Sequence, residues 1–150
     1  MKVSDIIHKD VDSISVTLSV LDAAKTIFKH GHTGLPVVSG KNKKLVGFLT
    51  DQDILSQCFP SIQEYIEDVV HAGDFDAMEA KLKEIMRLKV RDIINTKVIS
   101  VNENTPLMQA ESLMKTKNIA RLPVVDAKGN LIGILTKRDI FRALMGKVLK

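Results

Sequence analysis

The sequence contains no tryptophan, one tyrosine (Tyr65) and one cysteine (Cys58). A lone cysteine cannot close an internal disulfide, which points to a reducing, cytoplasmic setting. The shortage of aromatic rings argues against the stacking platforms that hold single-stranded nucleic acid. No apolar run approaches the ~20 residues that span a bilayer, and Asp5 and His8 interrupt the opening MKVSDIIHKD before a signal-peptide core can form. Membrane and nucleic-acid roles are therefore not expected. Glycine-rich phosphate loops of the P-loop or Rossmann type are also missing. So are histidines at metal-ligand spacing: His30 and His32 stand two apart at a helix end, and His8 and His71 have no partner in the sequence. Neither a metal nor a required cofactor is expected. Lys and Arg number 22 against 18 Asp and Glu, spread along the whole chain. That balance suits a small anion and gives no concentrated footprint for a nucleic-acid backbone.

What is present is one α/β unit written twice in 150 residues, with 45% of them hydrophobic, enough for a real core. Val3, Asp5, Ile6 and Ile7 return as Val90, Asp92, Ile93 and Ile94; Leu35, Pro36, Val37 and Val38 return as Leu122, Pro123, Val124 and Val125. Gly47, Leu49, Thr50, Asp53 and Ile54 return as Gly133, Leu135, Thr136, Asp139 and Ile140. In the first copy Val20, Ala23, Ala24, Ile27 and Phe28 have helical spacing after a Ser19 cap, with Gly31 past the end. In the second, Thr105 caps, Pro106 takes the first helical position, and Leu107, Ala110, Leu113 and Met114 form the face. Paired apolar runs around Gly40 to Lys44 and around Ala127 to Asn130 predict hairpins, each followed by a helix from about Asp51 or Lys137. The predicted unit is strand, helix, strand, strand, helix.

This divides the chain into a first repeat over 1–60, a connector over 61–88 and a second repeat over 89–150. In the connector, Ser61 caps a helix carrying Ile62, Tyr65, Ile66 and Val69, and Asp74 caps another carrying Phe75, Met78, Leu82 and Ile85. Their apolar stripes are expected to pack on the module, leaving an acidic, solvated face.

Both copies place Gly, then Thr three residues on, then Asp three further, where a strand opens into a helix: Gly47, Thr50, Asp53 and Gly133, Thr136, Asp139. Free amides at a helix start and a threonine hydroxyl suit a phosphate. An aspartate one turn in can accept from both hydroxyls of a ribose, and the glycines leave room for close backbone approach. The competing reading is local: Thr followed three residues later by an acid is also a near capping box.

The ensemble of an Ile-Ser-Val strand, an amphipathic helix, Leu-Pro-Val-Val, and GFLTDQDI or GILTKRDI resembles the CBS repeat, named after cystathionine β-synthase. Two such repeats make a Bateman module. The resemblance implies an α/β (α+β) fold with the repeats in pseudo-twofold arrangement. Clefts between them would bind adenosine-containing ligands such as AMP, ADP, ATP or S-adenosylmethionine. It assigns Thr50 and Asp53 to the phosphate and ribose of one cleft, lined by Ile14, His32, Thr33 and Gly34. Thr136 and Asp139 would serve the other, lined by Ile99, Ile119, Ala120 and Arg121. Lys137 and Arg138 follow Thr136 where Asp51 follows Thr50, so only the second helix start is strongly cationic. Implied with this are a homodimer, with Leu55, Phe59, Phe141, Leu144 and Met145 available as apolar contacts, no catalytic role, and an effector protein that the sequence does not name. The alternative is a structural dimerisation or docking module whose clefts are vestigial.

Overall fold

The computed structural model describes residues 1–31, 33–70 and 73–150. The first copy forms β1 (Ile14–Ser15), α1 (Val20–Lys29), β2 (Gly34–Ser39), β3 (Lys44–Thr50) and α2 (Asp51–Ser56). The connector forms α3 (Ile62–Glu67), α4 (Phe75–Ala80) and α5 (Leu82–Met86). β4 (Val101–Asn102), α6 (Leu107–Lys117), β5 (Arg121–Val125), β6 (Leu131–Thr136) and α7 (Lys137–Val148) make the second copy. Each copy has one three-stranded sheet, in the orders β1-β2-β3 and β4-β5-β6. In the second sheet β4 runs parallel to β5, Val101 opposite Val124, and β6 is antiparallel to β5. Because β4 reaches only Val124 and Val125, Pro123 sits beyond its pairing, which lets a residue without an N–H occupy a middle strand.

Local signals formed the predicted elements. Ser19 Oγ accepts from Asp22 N at 3.1 Å and starts α1, while Gly31, with φ of 64°, follows its end. Gly129 (φ 85°) turns the second hairpin. α6 begins one residue later than expected. Pro106 is its extended N-cap and Leu107 its first residue, so Thr105 does not cap it. Phe28 is a second departure: it lies off the α1 stripe of Val20, Ala23 and Ile27 and is 90% exposed. The connector splits at Lys81. Met78 and Ile85 are buried, but Phe75 and every residue of α3 are exposed, including Ile62, Tyr65 and Ile66. The expectation that both connector stripes pack therefore holds only from Met78 onward.

The chain forms two compact units, and they do not follow the copies. One comprises residues 13–37 and 46–96; the other comprises 1–12, 38–45 and 97–150. The core of the first joins Ile14, Val20, Leu35, Leu49 and Ile54 to Val90 from the start of the second copy. The core of the other joins Leu107, Met114, Leu122, Leu135 and Ile140 to Val3 from the start of the first. The opening turn of each copy has thus been exchanged. Asp5 and Asp92 lock these 3-10 turns by accepting from Lys2 N (2.7 Å) and Lys89 N (2.9 Å). The Met1 carbonyl accepts from Leu107 N at 2.9 Å and the Leu88 carbonyl from Val20 N at 2.8 Å. Each exchanged turn therefore satisfies an otherwise orphaned amide at a helix start. The β2–β3 hairpin tip joins the second unit in a similar way, Leu45 N donating to the Gly129 carbonyl and Leu131 N to the Lys43 carbonyl.

Candidate functional site

At the end of β3, Thr50 N donates to Asp53 Oδ2 at 2.8 Å while Asp53 N donates to Thr50 Oγ1 at 3.0 Å, a reciprocal capping box that starts α2. The Thr33 carbonyl accepts from Asp51 N at 2.8 Å, binding the loop before β2 to the same helix start. Gly34 makes that approach possible, since a Cβ there would stand 2.8 Å from the Leu49 carbonyl oxygen and 2.9 Å from Thr50 Cγ2. Thr33, Gly34, Thr50 and Asp53 are thereby brought together. His32, predicted to join them, lies outside the described residues.

The second copy repeats the arrangement with different chemistry. Asp139 N donates to Thr136 Oγ1 at 3.1 Å, and Asp139 Oδ2 accepts from Thr136 N at 3.3 Å and from the Thr136 hydroxyl at 2.5 Å. Ala120 takes the place of Thr33, its carbonyl accepting from Lys137 N at 3.3 Å. Arg121, which replaces Gly34, stands opposite Thr136 in the β5–β6 ladder. Its Nε is buried with no hydrogen-bond partner among the described residues. Burial pulls the guanidinium below its usual value, against Asp12 and Asp139, which pull it up. The other oxygen of Asp139, Oδ1, accepts from His8 Nε2 at 3.1 Å. Burial raises the Asp139 carboxyl, but hydrogen bonds from Thr136 and His8 and the charge of His8 outweigh it and hold the group below the ordinary carboxylate range.

Other predicted residues are placed differently. Ile14 is sealed in the core, so its side chain is packing and not wall. Ile99 and Ile119 are half-buried against the second core. Arg138 and Lys137 are exposed in the first turn of α7. The room left by the two glycines is not open to a ligand. A Cβ at Gly47 would meet the Asn95 carbonyl oxygen at 2.9 Å, and one at Gly133 the His8 carbonyl oxygen at 3.0 Å. The exchanged turns fill that space, Phe48 N donating to the Asn95 carbonyl and Ile134 N to the His8 carbonyl. His8 and Asn95 were missed by the motif reading. The signal available was their matched place, five residues after Val3 and Val90.

Two three-stranded sheets, each delivering a Thr and an Asp to a helix start beside the first residues of its middle strand, define a duplicated α/β module. The chain belongs to the CBS-domain family, whose model matches residues 3–59 and again 90–146. Protein MJ1426 of Methanocaldococcus jannaschii is 33% identical, over 97% of this chain and 88% of its own. Other relatives in that organism are longer: the chain spans 48% of MJ1225 (28% identical) and 23% of an inosine-5'-monophosphate dehydrogenase (30% identical), matching over 94% of its own length each time. Among solved structures, CBSX2 in complex with AMP is 28% identical, with 99% of this chain and 98% of that one covered and a TM-score of 0.74. The CBS domain pair of MJ0100, in complex with 5'-methylthioadenosine and S-adenosyl-L-methionine, is 27% identical, with 98% of both chains covered and a TM-score of 0.67. Among the described residues no helix is long and apolar enough to cross a membrane.

Proposed function

We propose that this chain is a non-catalytic regulatory module that binds adenosine-containing ligands, AMP, ADP, ATP or S-adenosylmethionine, at its two Thr/Asp helix starts and signals occupancy to a separate effector protein. The observation that carries this reading is Arg121. A buried guanidinium nitrogen without a partner is costly, and an anionic ligand beside Thr136 would supply the missing acceptor. The ligands named for CBSX2 and MJ0100 support the adenosine class. Asp53 and Asp139 take the ribose, Thr50 and Thr136 the phosphate, and Thr33, Gly34, Ala120 and Arg121 line the sites. A change in the units on binding would bias the partner's equilibrium. A cytoplasmic location fits Cys58, a single buried thiol.

A homodimer belongs to this reading. Leu55, Phe59 and Phe141 are exposed apolar side chains on or next to α2 and α7, while Leu144 is half-buried against its own core. Light scattering at micromolar protein is expected to give twice the chain mass, and a monomer would remove this part. The second reading, a docking module with vestigial sites, is favoured by one observation: both Thr/Asp pairs already close on themselves as capping boxes. Thermal unfolding of nucleotide-stripped protein with and without each ligand separates the two. A ligand that binds only the folded state raises the transition by mass action. No shift with any of the four would leave the docking reading.

A further inference from the structure

Asp139 is bound on both oxygens within the protein, Oδ2 by Thr136 and Oδ1 by His8. The hydrogen bonds of Asp53 with Thr50, by contrast, use Oδ2 alone. His8 is held where it is by backbone, through the two-way pairing of its N–H and carbonyl with Ile134. Its imidazole is 63% exposed, so it can leave Asp139 without opening a core. Asn95, the matching residue of the other copy, makes the same carbonyl contact with Phe48 and cannot titrate.

We propose that His8 is a specificity-determining residue that occupies the Asp139 carboxylate in competition with a ligand's ribose, so that binding there depends on pH while binding at Asp53 does not. The proposal rests on the functional reading above. A ribose hydroxyl that takes the position on Asp139 Oδ1 now held by His8 Nε2 must displace the imidazole. Neutral imidazole gives up a hydrogen bond, whereas imidazolium gives up an ion pair. Asp139, held below the ordinary carboxylate range, keeps its charge, so protonating His8 strengthens the competitor and weakens the ligand. The other charged groups on the elements around His8 are Lys9, Asp10 and Asp12 in its own segment, Arg121 at the start of β5, and Lys137 and Arg138 in the first turn of α7.

Adenosine is the suitable probe, because it presents the ribose without a phosphate that would titrate near the same pH. In an Asp53→Ala protein, where only the Asp139 site reports, calorimetry is expected to show adenosine binding about two- to five-fold weaker near pH 5.5 than near pH 7.5, the range for an exposed ion pair. His8→Asn in that background should abolish the dependence by restoring affinity at the lower pH. Conversely, Asn95→His in an Asp139→Ala protein should introduce it at the other site. Circular dichroism checks that each variant is folded. Binding that is pH-independent, or a dependence that survives His8→Asn, overturns the role of His8 while leaving the adenosine reading standing. Absence of adenosine binding to wild-type protein at both pH values overturns the role of His8, and absence of a thermal shift with any of the four ligands overturns the functional reading as well.

Discussion

Asp53 and Asp139 each divide two carboxylate oxygens between a cap and whatever else approaches the helix start. Asp53 Oδ2 and Asp139 Oδ2 serve the cap through backbone amides, which orients the remaining oxygen without help from a ligand. A capping side chain contributes about 1 kcal/mol, so Asp53→Ala and Asp139→Ala should each lower the urea-unfolding free energy by about that amount and leave the fold intact. Calorimetry on the same proteins should show one adenosine site lost in each. If both variants still bind at two sites, capping is the whole role of these residues. The motif was legible because Thr-x-x-Asp lies within one helical turn. Arg121 was legible as a lining position but not as a half-buried cation with a buried Nε, because its burial depends on how β5 packs.

At the scale of elements, the opening turns are the least obvious part of the fold. The repeat of Val, Asp, Ile and Ile shows that the turn matters, yet gives no sign that Val3 completes the core around Met114 and Val90 the core around Ile27. The glycines on β3 and β6 follow from that exchange, since each faces a carbonyl of the turn at contact distance. Gly47→Ala should destabilise the protein by roughly 1–3 kcal/mol through overpacking against the Asn95 carbonyl, and Gly133→Ala, with slightly more room, should cost less. Chemical denaturation would measure this, and a cost near zero would mean that the turns are not tightly seated. α3 shows the limit of pattern reading. Its stripe has the right period for packing, but Ile62 and Ile66 face solvent because periodicity reports a face and not its occupant.

For the whole molecule, duplication has produced two unequal helix starts. α7 runs from Lys137 to Val148 with two cations in its first turn, whereas α2 stops at Ser56 and begins with Asp51. A phosphate at Thr136 would therefore have positive neighbours, and one at Thr50 a negative one. AMP is expected to bind the Asp139 site more tightly, with the larger loss at high salt because exposed charges are screened. Titrating AMP into Asp53→Ala and Asp139→Ala proteins at low and high salt checks this. A tighter, more salt-sensitive site in Asp139→Ala would reverse the assignment.

The amino-acid sequence by itself determined the duplication, the caps at Ser19, Thr50, Ser61, Asp74 and Thr136, the buried Leu-Pro-Val-Val strands and the Thr/Asp pairs. All of these depend on residues a few positions apart, where spacing alone encodes geometry. Tertiary structure decided where the opening turns go, what fills the space beside Gly47 and Gly133, and that His8 meets Asp139. Those partners are distant in the chain, up to 131 residues apart for His8 and Asp139. Such a meeting is set by the packing of whole elements, and no local spacing records it.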